Sequence, residues 1–207
     1  MKTRLKASQK IKALLESRTR LFDTRSLSAL WGIGPDSAKV AAFRMACAGI
    51  LIPVRRGLYG VVSKEPSVFE IAHALYQPSV ISLESALNHW GVLVQSPQVI
   101  TSIANRSRRF VVQKTRFVYR RVPKKILDIG AIQVQGTYMT TPQKALLDYL
   151  YFGVKGLCSV QPGDLFLGKQ VHWGQAQEYL RFYPATCQER MDALLKKILK
   201  GRYRGVR

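Results

Sequence analysis

The sequence predicts an α+β protein, an N-terminal winged helix-turn-helix followed by a mixed α/β C-terminal domain. Three observations predict it. Apolar residues recur at helical spacing in three successive segments of the first fifty residues. Two short β-prone runs then flank an Arg-Gly pair. Beyond Pro66, helical segments give way to runs rich in Val, Ile, Phe and Tyr and then return, the pattern of segregated helices and sheet.

The first helix is expected over residues 5–17, with Leu5, Ile11, Leu14 and Leu15 among Lys6, Lys10, Lys12 and Glu16. Phe22 opens a short extended piece. Thr24 is the expected N-cap of a second helix, because its hydroxyl can accept from a first-turn amide. Leu27 and Leu30 point inward from that helix, up to Trp31. Gly32 and Gly34 permit a sharp reversal, and Pro35 suits a first helical turn, where its missing N–H is not needed. The third helix runs to about Ala48, with Gly49 as C-cap. Ala38, Ala41, Ala42, Met45 and Ala48 share its inner face. Ser37, Lys39, Val40, Phe43 and Arg44 lie off that face, and Phe43 is expected to be buried elsewhere in the protein. Residues 50–62, ILIPVRRGLYGVV, read as a hairpin with a basic tip.

Ser63 to Pro66 reads as a linker, which divides the chain into domains 1–64 and 65–207. Helices are expected over 67–76 and 82–90, and strands over 98–104, 109–113, 116–122 and 131–138. Thr141-Pro142 opens a further helix, 156–168 is loop-like, and two helices follow near 173–182 and 186–200.

The formal charge is +21, and it is uneven. Residues 1–62 carry +9, residues 63–100 carry −2, residues 101–125 carry +9 and the remainder +5. Such a balance calls for a polyanionic or acidic partner. Cys47, Cys158 and Cys187 are odd in number, far apart and without CxxC spacing, which disfavours a disulfide framework or a zinc site. A cytoplasmic protein is expected. No apolar run follows the basic N-terminus, and none approaches the ~20 residues of a membrane helix. No membrane partner is expected.

The candidate DNA contacts follow from groove geometry. The major groove admits one helix, whose outer face must carry short polar and basic groups. Ser37, Lys39 and Arg44 supply these on the third helix, with Thr24 and Arg25 at the start of the second. Arg55 and Arg56 would meet phosphate or the minor groove, and Tyr59 could donate to a phosphate. Lys2, Arg4, Lys6, Lys10 and Lys12 read chiefly as a solvated helix face. Residues 85–127 contain no Asp or Glu. Arg106, Arg108, Arg109, Lys114, Arg116 and Arg120 form a second basic surface there, which alternation places on one sheet face near Phe110, Val112, Phe117 and Tyr119. It could bind DNA, RNA or an acidic protein.

The same lack of carboxylates excludes a Mg²⁺-dependent nuclease built on these strands, since Glu84 and Asp128 only flank them. His73, His89 and His172 show no metal-binding spacing, and His89 reads as structural. No GxSxG, GxGxxG or GxxxxGK[ST] string is present. Neither catalysis, a cofactor nor a metal is expected.

Three strings together carry a family resemblance: ILIPVRRGLYGVV, ISLESALNHWGVL at 81–93 and TTPQKALLDYLYF at 140–152. Over residues 20–152 the chain resembles the AbiEi-type antitoxins and transcriptional regulators of bacterial type IV toxin–antitoxin systems, which act in phage defence. The family's Arg-Gly-x-Tyr hairpin is matched by Arg56, Gly57 and Tyr59. Its Ser-x-x-Ser-Ala-Leu helix is matched by Ser82, Ser85, Ala86 and Leu87, and its following Thr strand by Ile100-Thr101. Its Pro-x-Lys-Ala-Leu-x-Asp helix is matched by Pro142, Lys144, Ala145, Leu146 and Asp148, with Gln143 where the family more often has Glu. The resemblance implies a repressor of its own operon that binds promoter repeats in double-stranded DNA. It also implies an antitoxin opposing a nucleotidyltransferase-like toxin, without a required stable complex. The alternative is a general nucleic-acid-binding accessory protein, or a stand-alone regulator of a mobile element without a toxin.

Overall fold

The computed structural model describes residues 5–202, so Lys2 and Arg4 lie outside the described residues. Among the described residues the chain forms an α+β structure of two compact units, Met1–Leu75 and Tyr76–Arg207.

The first unit runs α1 (Ala7–Glu16), β1 (Leu21–Asp23), α2 (Thr24–Trp31), α3 (Pro35–Cys47), β2 (Leu51–Arg55), β3 (Leu58–Val61) and α4 (Val68–Leu75). β3 lies central in a three-stranded antiparallel sheet of order β1-β3-β2. The core gathers Leu14, Phe22, Leu27, Trp31, Ala38, Ala42, Met45, Leu51 and Val61. Leu15 is 45% exposed, because α1 turns its neighbour Leu14 into that core instead.

Asp23, not Thr24, caps α2. Its carboxylate accepts from the Ser26 amide at 2.7 Å, which leaves Thr24 as the first helical residue. That bond and the Ser26 hydroxyl hold the Asp23 carboxyl below the usual carboxylate range. Gly32 ends α2 in the left-handed conformation, at φ +61°, where other residues are strained. Ala48 caps α3, and Gly49 follows it at φ +70°. Residues 62–64 are a 3-10 turn rather than a linker. The Lys64 ammonium donates to the carbonyls of Leu15 and Ser17, and α4 packs against β1. The segment expected to separate two domains is thus fastened into the first unit.

The second unit holds a mixed six-stranded sheet of order β6-β7-β5-β4-β9-β8. Its strands are β4 (Ser79–Ile81), β5 (Val99–Ala104), β6 (Arg108–Val112), β7 (Thr115–Arg121), β8 (Ala131–Val134) and β9 (Thr137–Thr140). β5 and β7 are parallel, as are β4 and β9, and the other pairs are antiparallel. The helices are α5 (Leu83–His89), α6 (Lys124–Leu127), α7 (Pro142–Val154), α8 (Trp173–Leu180) and α9 (Ala185–Arg202). The run expected as one strand over 131–138 is a hairpin, turned by Gln135 and Gly136 at φ +47° and +81°. α7 is buried all round from Gln143 to Phe152, in contact with α5, α8 and α9. A helix buried on every face in this way belongs in a core, and its polar residues must find partners there.

Candidate nucleic-acid interface

In the first unit exposed basic side chains lie on α3 and on the β2–β3 hairpin, and also around α1, in the loop before β1 and on α2. α3 buries Ala38, Ala42 and Met45. At 3.6 residues per turn its opposite line is then Asp36, Val40, Phe43 and Cys47, with Ser37 and Arg44 on one flank and Lys39 on the other. All of these are exposed. Ala41 is half-buried, and Ala48 is exposed because the helix has ended before it. The expected burial of Phe43 does not occur: it is 65% exposed, and Val40 is 51% exposed. The helix turns both away from the alanine face.

Ser37, Val40 and Arg44 also line a groove of about 770 Å³ shared with Ala7, Lys10 and Ile11 of α1. Lys39 sits 2.9 Å from the Asp36 carboxylate. Such an exposed pair is weak, so Lys39 can exchange it for another acceptor. Lys6 and Lys12 are solvated as expected. Lys10 is not. It is 8% exposed, its ammonium lies 5.6 Å from the Trp31 ring centre, and its carbonyl accepts from Trp31 Nε1 at 3.3 Å.

The hairpin presents Arg55 and Arg56 to solvent, and Gly57 closes the turn at φ +77°. Arg25 is exposed on the first turn of α2. Thr24 is half-buried, and its amide donates to the Gly57 carbonyl at 3.1 Å, with its hydroxyl at 3.4 Å from the same oxygen. It therefore ties the hairpin turn to the start of α2. Tyr59 packs partly against the core.

In the second unit the basic residues do not share one face. Arg109 pairs with Val118 and Val111 with Arg116, so Arg109, Arg116 and Arg120 project together. Arg108 pairs with Tyr119 and projects from the other side, over the Tyr76 ring at 5.8 Å. Phe117 and Tyr119 are buried on that side, with Phe110 edge-on to Tyr119 at 5.7 Å. Val112 shares that side, its partner being Thr115. Arg106 and Lys114 are exposed in the turns that flank β6. The one-residue difference between Arg108 and Arg109 decides the face, because side chains alternate along a strand.

Arg109, Arg116, Arg120 and Arg121 line a cleft of about 920 Å³ with Lys155. Its walls are aliphatic at Val99, Val111, Val118 and Leu157, and Glu84 is its one carboxylate. Arg120 donates to the Leu157 carbonyl at 2.9 Å and lies over the Phe152 ring at 5.2 Å. A buried atom in each of Glu84 and Arg120, Oε2 and Nε, lacks a hydrogen-bond partner among the described residues. Lys155 and Leu157, which follow α7, were not legible as site residues. Only the folded sheet brings them to Arg120.

The strings behind the family resemblance converge elsewhere, inside the second unit. Lys144 and Asp148 are wholly buried with Nζ 2.6 Å from Oδ1. The same carboxylate accepts from the Tyr183 hydroxyl at 2.7 Å and from the Ser82 hydroxyl at 2.6 Å. Thr140 lies 3.1 Å from the Ser82 hydroxyl, and Thr101 donates to the Ser82 carbonyl at 2.8 Å. The Ser85 hydroxyl accepts from the Thr101 amide at 2.8 Å. Burial pulls the Lys144 ammonium below the usual lysine range and pushes the Tyr183 phenol well above its own. A network without solvent access holds elements together; it cannot itself meet a partner. Gln143 is also buried, donating to Gln175.

The chain matches no protein-family model and no curated protein sequence.

Among the described residues no three of His, Cys, Asp and Glu are grouped to hold a metal ion. His89 is exposed and meets Trp90 edge-on at 4.8 Å. Cys47 is exposed, Cys158 half-buried and Cys187 buried, all as free thiols. Burial and the nearby Glu84 push the Cys158 thiol up to about 11. No helix among the described residues is long and apolar enough to cross a membrane.

Proposed function

We propose that the chain is a DNA-binding transcriptional repressor of its own operon and the antitoxin of a type IV, AbiE-like toxin–antitoxin pair. One observation carries the DNA-binding part. An exposed α3 face, flanked by Ser37 and Arg44 on one side and Lys39 on the other, is followed directly by a hairpin with Arg55 and Arg56 in solvent. The order α1-β1-α2-α3-β2-β3 supports reading the first unit as a winged helix-turn-helix, with α3 in the major groove and the hairpin as the wing. Thr24 then sets the wing against α2, and Arg25 stands beside it.

The antitoxin part rests on the family resemblance. Its matched residues Ser82, Ser85, Thr101, Lys144 and Asp148 meet in one buried network, which favours their being the frame of a single domain. Opposition to a toxin then falls to a surface, and the cleft of Arg109, Arg116 and Arg120 is the strongest candidate. That cleft equally favours the second reading, a general nucleic-acid-binding accessory protein without a toxin.

Two arms of one experiment test the proposal in cells. The chain is supplied against a reporter driven by its own promoter, and against the product of the adjacent reading frame. Repression, together with rescue of growth from a nucleotidyltransferase-like neighbour, is expected. Repression without any toxic neighbour identifies a stand-alone regulator. Absence of repression refutes the repressor part, absence of rescue refutes the antitoxin part, and absence of both refutes the proposal outright.

A further inference from the structure

We infer that Val40 and Phe43 read thymine methyl groups in the major groove. This inference rests on the DNA-binding reading of the first unit. Val40 and Phe43 lie three residues apart on the same helix face, where side chains are neighbours. They are 51% and 65% exposed, in the middle of the outward line of α3. Neither can donate to a phosphate or a base. The apolar group that B-DNA offers at the major-groove edge is the C5 methyl of thymine.

The surroundings select this occupant. Ser37, Lys39 and Arg44 flank the two side chains, and residues 1–62 carry +9, which favours a polyanion and opposes a second copy of the same face. Asp36, its side chain 91% exposed, lies on the same line. A carboxylate there repels phosphate and so disfavours laying this line of α3 along the backbone. Facing the base edges, it can accept from a cytosine amino group. Val40 and Phe43 are about 4.5 Å apart along the helix axis, against a base step of ~3.4 Å. The two methyl groups therefore lie within one or two base pairs of each other.

The test uses the full chain and a duplex of its own promoter, narrowed by footprinting. Each thymine in the footprint is replaced singly by deoxyuridine, which removes the methyl group alone. The expected result is a loss of about four-fold in affinity at one or two adjacent positions, the worth of one buried methyl. Phe43→Ala should bind the thymine and uracil duplexes equally at one of them, and Phe43→Leu should retain most of the discrimination. Both side chains are exposed, so neither change threatens the fold. Specific promoter binding with no loss at any uracil overturns the inference and leaves the DNA-binding reading standing. No preference for the promoter over random DNA overturns both.

Discussion

The Thr24 amide and hydroxyl both reach the carbonyl oxygen of Gly57, at 3.1 and 3.4 Å, across 33 residues of sequence. The turn that exposes Arg55 and Arg56 is therefore held by the first residue of α2 rather than left free. A Cβ at position 57 would sit 3.3 Å from the Thr24 oxygen, in a conformation at φ +77° that L side chains rarely adopt. Gly57→Ala should destabilise the protein by about 1–2 kcal/mol, the usual strain of a left-handed non-glycine residue. Urea denaturation measures it. Thr24→Val, which keeps the amide bond, should lose about 1 kcal/mol or less.

The Lys144–Asp148 pair makes a sharper prediction. Asp148→Ala strands a buried ammonium along with the hydroxyls of Ser82 and Tyr183, so a loss of about 3–5 kcal/mol is expected. Replacing both partners by apolar residues of similar volume, Lys144→Met with Asp148→Leu, should recover the part of that loss that the stranded ammonium causes, the Ser82 and Tyr183 hydroxyls still lacking their acceptor. Chemical denaturation of the two variants decides it. Equal losses in both would show that the pair contributes nothing through its charge.

The cleft gives the third prediction. Reversing Arg109 and Arg116 to Glu, both exposed, should abolish toxin rescue or weaken nucleic-acid binding while leaving the melting temperature near wild type. Reversing Arg108, which projects from the opposite side beside Tyr76, should spare the cleft's function. Growth rescue and a binding titration read the two variants side by side. Equal effects from both would mean that net charge, not the cleft, is responsible.

The first unit is legible in the sequence because local rules agree there. Leu14, Leu27, Trp31, Ala38 and Met45 fall at helical spacing, Pro35 and Gly32 punctuate the turn, and Arg56-Gly57 marks the hairpin. What fails is fine placement. Phe43 looks like a core residue by type, yet helix rotation points it outward. Asp23 takes the cap from Thr24 by one residue. In the second unit β4 is three residues long, too short to carry a period, and Gln135-Gly136 turns a hairpin inside a run expected as one strand. The basic surface splits because register, which long-range pairing sets, decides whether Arg108 or Arg109 faces the cleft. Lys10 shows the opposite failure: charge suggests solvent, while the residue is buried with its ammonium over the Trp31 ring.

The central claim is that the first unit reads a specific DNA sequence through α3 and grips phosphate through the hairpin. Equilibrium binding of the full chain to its own promoter and to a random duplex, across a series of salt concentrations, tests it most directly. The expected result is a preference of about 10³ or more for the promoter. Arg55→Ala and Arg56→Ala should weaken both complexes equally and reduce the salt slope by about 0.9 per lost phosphate contact. Ser37→Ala and Lys39→Ala should erode the preference more than the affinity. Equal affinity for promoter and random DNA at every salt concentration would contradict the claim.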